Sequence, residues 1–473
     1  MTMDGAASPL PMVRIVVLTF DGGDLTMACL RSLCDLDWPS DRYEIVLVDN
    51  GSLDDVAERV RAEMPDVTVL EPLANLGFAG GCNLGIAHGT RLGELRSAYD
   101  HVALVNNDAI VASDWLRRLV DRIGTASNIG GVASKMLFAD RFHEVHLAVL
   151  EPLAGRRRDM LGVCVSAIRV DGDESVAPFQ FDEGFHGPVA PDRARDEEMA
   201  RWTRDRATIR VPATGASPGT LWLRLNAKRT LTLRVSSGSE SCDVVVGAEG
   251  ETVYTTVEIP ISPDVVDVIN NVGSELYELG FAGDRGFMER DDGQFDQPCE
   301  VFAWCGGAVL LRAAHLDAVG VFDERLFLYY EDTDLAWRGR LAGWRHVYEP
   351  GAVVRHHHAQ SSGVGSPVFR FHTERNRLLV TARNAPLRDF ILALAGETRH
   401  CVRVNLALLV KRPLTLKMPS TGEPRHRRAV LAGVLRGVPG ALADRRRDRQ
   451  SALRAGTAVG RSTVVGHWRT RKW

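Results

Sequence analysis

Nowhere does this chain of 473 residues carry about 18 consecutive apolar residues, and its start lacks a basic segment followed by a long apolar one. The sequence therefore predicts neither a membrane-spanning helix nor a secretory leader. Its eight cysteines fall at irregular intervals without a CxxC pair, which argues against a disulfide framework and against a zinc site. Reduced thiols in the cytoplasm are the expectation. No Gly-x-Gly-x-x-Gly follows the first apolar run, and no glycine loop closes on Lys and Ser or Thr. A dinucleotide oxidoreductase and a P-loop NTPase both lack their signature. A formal net charge of −4 gives no general attraction to polyanions, so nucleic acid is not an expected partner.

Length and rhythm are informative. A chain this long exceeds what one core usually organises. Val13–Thr19, Glu44–Val48, Val67–Leu70 and His101–Val105 are short apolar runs separated by helical patterns near 25–36, 54–64 and 80–89. Such alternation predicts a doubly wound α/β layer with ligands beyond the carboxyl ends of its strands. From about Phe142 the period changes to two: Leu221, Leu223 and Leu225 oppose Trp222, Arg224 and Asn226, and similar runs continue to Ile259. These predict an antiparallel β-sandwich inserted at 141–265, between halves of the α/β unit at 1–140 and 266–385. A strand over Val301–Leu311 and a helix over Ala313–Val319 follow. Residues 386–473 read as a helical, basic extension: from Cys401 onward 17 Lys and Arg face only Glu423, Asp444 and Asp448. That tail is either a solvated surface or a peripheral contact with an anionic membrane.

Several clusters offer chemistry. Asp49, followed by Asn50, Gly51 and Ser52, ends a strand; its carboxylate either receives a pyrimidine N–H or serves an Asx turn or helix cap. Asn75, Gly77, Gly80 and Asn83 surround the start of a helix, where backbone N–H groups can meet phosphate or ribose, or simply turn tightly. Asn106, Asn107 and Asp108 form a hard oxygen cluster suited to Mg²⁺ or Mn²⁺ on a diphosphate, for which His356, His357 and His358 supply candidate imidazoles. Glu331, Asp332 and Asp334 open a helix among Tyr329, Tyr330 and Trp337; they either complement the helix dipole or include a general base.

In order and spacing, the stretches Asn75–Asn83, Val105–Ala109 and Phe322–Arg338, with Gly343, Trp344 and His356 beyond, resemble the family 2 inverting glycosyltransferases of the GT-A fold. Bacterial rhamnosyltransferase-like members are the nearest in pattern. The resemblance covers about 13–140 and 266–390. It implies that Thr19 and Asp49 contact the nucleotide, Asp108 and His356 hold Mg²⁺ or Mn²⁺, and Asp332, beside Glu331, is the catalytic base. Asn75, Gly77, Gly80, Asn83, Asn106 and Asn107 would line the donor. The first acid of the usual Asp-x-Asp is replaced by Asn106. The implied partners are a nucleotide-diphosphate sugar, such as dTDP-rhamnose or a UDP-sugar, and a glycan or lipid-linked acceptor used in cell-surface polysaccharide assembly. The rival reading is a non-catalytic glycan- or nucleotide-binding protein on a transferase-like scaffold.

Overall fold

The computed structural model describes residues 10–153, 161–171, 179–188, 199–214, 218–247, 254–357, 366–411 and 423–470. His358 lies outside the described residues. The chain divides into two compact units, one of Met1–Ala139, Asn270–Phe287 and Gly293–Trp473, the other of Asp140–Ile269 with Met288–Asp292.

The first unit begins β1 (Val13–Thr19), α1 (Gly23–Cys34), β2 (Tyr43–Asp49), α2 (Val56–Glu63), β3 (Thr68–Leu70), α3 (Gly77–Ala87), β4 (His101–Asn106), β5 (Ala109–Val111), α4 (Trp115–Gly124) and β6 (Ile129–Phe138). β3, β2, β1 and β4 are parallel neighbours in that order. Their β-branched runs are buried because helices cover both sheet faces. Arg14 is buried within β1, and its guanidinium is satisfied by Glu44, by the Ile86 carbonyl at 2.9 Å and by Tyr99 Oη at 2.5 Å.

In sequence the second unit comes next: β7 (Phe142–Val149), β8 (Val163–Val170), β9 (Gln180–Phe181), β10 (Arg201–Trp202), β11 (Arg206–Pro212), β12 (Thr220–Ala227), β13 (Leu231–Ser237), β14 (Glu240–Val246) and β15 (Thr255–Pro260). Two antiparallel sheets, ordered β10-β8-β12-β15 and β14-β13-β7-β11-β9, share one core in which Leu221, Leu223, Leu225, Leu231, Leu233 and Val235 are buried. The alternation of period two is thus the inner face of a sandwich. Met288–Asp292 joins this unit through backbone bonds such as Met288 N–H to the Ile269 carbonyl at 2.9 Å.

The chain then runs through β16 (Ile269–Asn271), β17 (Ser274–Leu276), β18 (Ala282–Asp284), β19 (Cys299–Glu300), β20 (Ala308–Arg312), α5 (Ala313–Val319), α6 (Glu331–Leu341), β21 (Arg345–His356), α7 (Pro367–Asn384), α8 (Leu387–Lys411), α9 (Glu423–Arg454) and α10 (Arg461–Trp468). β20 enters the first unit's sheet antiparallel to both β4 and β6, and β21 lies parallel to β6. The sheet is therefore mixed, and the chain has an α/β architecture with three further antiparallel sheets and C-terminal helices. The strand expected over Val301–Leu311 is confined to its end. Val301–Gly307 is irregular instead, and two glycines there serve the site described below. No helix among the described residues is long and apolar enough to cross a membrane.

Candidate active site

The parallel register sets Thr19 beside Asp49 and Leu18 beside Asn106, so the residues singled out near the strand ends share one edge of the sheet. Asn107 Nδ2 donates to Thr19 Oγ1 and Thr26 Oγ1, both at 3.1 Å, and the two hydroxyls lie 2.8 Å apart. Gly22 makes this knot possible: a Cβ there would sit 2.0 Å from Asn107 Nδ2. Asp49 Oδ1 accepts from Ser52 N–H at 3.0 Å, three residues on, a local bond of the capping kind.

Beside it, Asn50 Nδ2 donates to Asn75 Oδ1 and to the Gly77 carbonyl, while its Oδ1 accepts from Leu76 N–H at 2.8 Å. Gly77 has a left-handed φ of 70°, and a Cβ on it would lie 2.5 Å from Phe327. Asn83 clamps Phe322 by both backbone groups, through its Nδ2 at 3.0 Å and its Oδ1 at 3.1 Å. Gly80 lies inside α3, where a Cβ would crowd that of Leu76 at 2.9 Å. Within the fold, then, Asn75, Gly77 and Asn83 organise the loop 322–330 over the sheet edge.

Asp108 Oδ1 and His356 Nε2 are 3.0 Å apart, both residues being buried. Strand pairing produces the meeting, since β5 and β21 are antiparallel with His356 opposite Ala109. Asn270 Oδ1 lies 3.0 Å from His356 Nδ1, and Asn106 Nδ2 lies 3.2 Å from Nε2. With the Asn270 amide so oriented, the ring proton sits on Nδ1 and the Nε2 lone pair points at a carboxylate. Two such donors at this distance call for a shared positive centre, either a proton or a metal ion. Burial alone would raise the Asp108 carboxyl, but with a proton as that shared centre the hydrogen bond and charge of His356 outweigh it and hold it below the usual carboxylate range. No cluster of three His, Cys, Asp or Glu suited to a metal occurs among the described residues. One carboxylate and one imidazole fit an ion whose remaining ligands are water and phosphate oxygens.

The acids of α6 separate by role. Asp334 is fully engaged, accepting from Arg338 Nε at 2.7 Å, Arg383 Nη1 at 3.1 Å and Asn384 Nδ2 at 2.7 Å. Asp332 accepts from Thr333 N–H at 2.6 Å and Gly306 N–H at 3.3 Å, and burial pushes its carboxyl up. Glu331 is buried, its Oε2 has no hydrogen-bond partner, and burial with the Asp332 charge drives its carboxyl well up. Gly307, next to Gly306, accepts from Asn106 N–H at 2.8 Å. One glycine pair therefore links the Asp332 carboxylate to the strand that ends in Asn106.

Three groups at this edge are absent from the sequence reading. Asp284 accepts from Asn271 Nδ2 at 2.5 Å; it retains solvent contact yet is ringed by protein, and that desolvation, reinforced by the charge of Asp332, pushes it up to about 6. Asn270 orients His356. Asn376, fully buried on α7, donates through Nδ2 to the carbonyls of Leu326, Leu328 and Tyr329 at 2.7 to 2.9 Å. That grip stabilises a segment in which Phe327, Tyr329 and Tyr330 all have φ between 65° and 71°, conformations costly for side chains of this size.

Residues 14–160 match the family model described as glycosyl transferase family 2. Over 61 residues the chain is 51% identical to the N-acetylglucosaminyl-diphospho-decaprenol L-rhamnosyltransferase of Mycobacterium tuberculosis, covering 13% of this chain and 20% of that protein. Over 93 residues it is 36% identical to the rhamnosyltransferase WbbL of Escherichia coli, covering 19% and 35%. The chain thus spans a fifth to about a third of the length of these relatives. A mannosyltransferase structure from Pyrobaculum calidifontis, in complex with GDP-Man and Mn²⁺, aligns at 15% identity and a TM-score of 0.36 over 97% of this chain and 79% of that one. The family 2 match spans the strands and turns from β1 onward that build the sheet edge, and over part of its length the chain resembles rhamnosyltransferases.

Proposed function

We propose that the protein transfers a sugar from a nucleotide-diphosphate donor to a hydroxyl of a glycan or lipid-linked acceptor with inversion at the anomeric carbon. The observation that carries this reading is the placement of Asp332 and the Asp108–His356 pair on one sheet edge, joined through Gly306 and Gly307. Asp332 is the base: it takes the acceptor proton as the acceptor oxygen attacks the anomeric carbon and the bond to the diphosphate breaks. Its raised carboxyl is suited to that task, because a base nearer the working pH accepts a proton more readily. Asp108 and His356 would hold Mg²⁺ or Mn²⁺, which when bound offsets the negative charge of the departing diphosphate. Thr19 and Asp49 border the nucleotide, and the loop ordered by Asn75, Gly77 and Asn83 closes over it.

The two relatives named as rhamnosyltransferases make a rhamnose donor the first to test; we take dTDP-rhamnose for it, UDP-hexoses second, and cell-surface polysaccharide assembly as the proposed setting. A panel of nucleotide sugars with Mn²⁺, read by thermal shift and by release of nucleoside diphosphate, tests the proposal. A donor that both stabilises and turns over supports transfer. Stabilisation without turnover, with every acceptor offered, would support the rival non-catalytic binder.

A further inference from the structure

The helix α8 carries apolar side chains on two sides, and only one of them is covered among the described residues. Phe390, Ala393, Glu397 and Cys401 recur at helical spacing and are buried. Ala393 packs with Leu378, Val430 and Val434, and Phe390 with Ala382 and Ala441. On the far side Leu387, Ile391, Leu392, Val402 and Leu406 are each between 48% and 55% exposed. At about 100° per residue these five, with Ala395 among them, fall within roughly 140° of the helix circumference. Exposed aliphatic side chains gathered on one side of a helix and interleaved with arginines mark a contact.

The charge on that side is of one sign. Arg388 and Arg399 are exposed within that arc and Arg403 at its edge, and among the described residues none of the three forms an ion pair with a carboxylate. The acids of the described helix do not share the face: Glu397 is buried and paired with Arg427, and Asp389 projects about 200° from Leu387. On α9 the arginines are mixed: Arg427 is bound to Glu423, Glu374 and Glu397, and Arg447 to Asp444, whereas Arg425, Arg428, Arg436 and Arg446 are exposed and without an ion pair among the described residues. What sets this face of α8 apart is the exposed aliphatic side chains that lie beside its arginines. Two copies meeting through it would oppose their own guanidiniums, whereas anionic lipid answers both the apolar stripe and the charge.

We infer that the outer face of α8 docks on the headgroup region of an anionic bilayer, its aliphatic side chains entering the acyl boundary and its three arginines facing lipid phosphates. The inference stands apart from the glycosyl-transfer reading, since binding is read without turnover. The experiment is co-sedimentation of the full chain with phosphatidylcholine vesicles, with and without a phosphatidylglycerol fraction, across a salt series. Expected are binding to the anionic vesicles only and weakening by salt. Replacing two arginines, Arg388→Gln with Arg399→Gln, should lower the partition coefficient about thirtyfold, and Ile391→Glu with Val402→Glu should abolish binding. Circular dichroism melts overlaying the parent's would show that both variants fold. Absent binding, or binding that neither variant changes, overturns the inference. So does a concentration-dependent dimer in sedimentation velocity that the Ile391→Glu, Val402→Glu variant renders monomeric, because the occupant would then be a second copy.

Discussion

The amide oxygen of Asn270 lies 3.0 Å from Nδ1 of His356 and thereby sets which ring nitrogen faces Asp108. Outer partners of this kind commonly alter metal affinity by about 10- to 100-fold. Asn270→Leu, which keeps the volume and removes the acceptor, should weaken Mn²⁺ binding by that factor in an EPR-monitored titration without donor. Unchanged Mn²⁺ affinity would remove the role given to Asn270. Absence of Mn²⁺ binding in the parent protein would instead remove the metal site itself.

Asp108→Ala should weaken Mn²⁺ and nucleoside diphosphate together, because the ion and the phosphates share one set of contacts. Calorimetric titration of the diphosphate with and without Mn²⁺ checks this. In the parent, Mn²⁺ should tighten diphosphate binding at least about tenfold, and in the variant that gain should vanish. A variant that keeps the full gain contradicts the ligand assignment.

Asn376 holds three carbonyls of the segment that presents α6. Asn376→Ala leaves buried acceptors without a donor and should cost about 1–3 kcal/mol. Urea unfolding would show this as a lower midpoint at unchanged slope. Turnover should fall as well, since Asp332 loses the support of the strained turn before it. Full turnover at reduced stability would restrict Asn376 to a structural role.

Much of the frame could be read from the residues. The parallel strands and Ala313–Val319 announce themselves by β-branched runs and helical spacing, and the sandwich by the alternation from Leu221 to Leu225. Asp108 and the acids of α6 stand out because hard ligands and acids recur at strand and helix ends, whereas His356 among three histidines and Asp332 among three acids are picked out only by the family resemblance. Other features leave no local signal. Asn270 lies 86 residues from the histidine it orients, and Asn376 lies 47 to 50 residues from the carbonyls it binds. Asp284 sits in a short hairpin strand whose pattern differs little from a loop. The acids of α6 look equivalent in sequence, yet packing against α7 commits Asp334 to Arg338, Arg383 and Asn384 and leaves Asp332 at the sheet edge.

Glu331 carries a pH prediction. Its folded carboxyl is raised by burial and by the Asp332 charge, so the folded state holds a proton that the unfolded state has released. Stability from this group therefore falls as pH rises above the ordinary glutamate range, near pH 4.3. Glu331→Gln should raise the melting temperature at pH 7 and lose that advantage by about pH 4. An equal gain at both pH values would show that ionisation of Glu331 is not the cause.

Asp332 bears the central claim. Steady-state release of nucleoside diphosphate from the donor found in the panel, in the presence of Mn²⁺ and acceptor, compares the parent with Asp332→Asn. Loss of a positioned base predicts a fall in turnover of about 10²- to 10⁴-fold, with donor affinity by calorimetry nearly unchanged. Turnover within a few-fold of the parent would contradict the account.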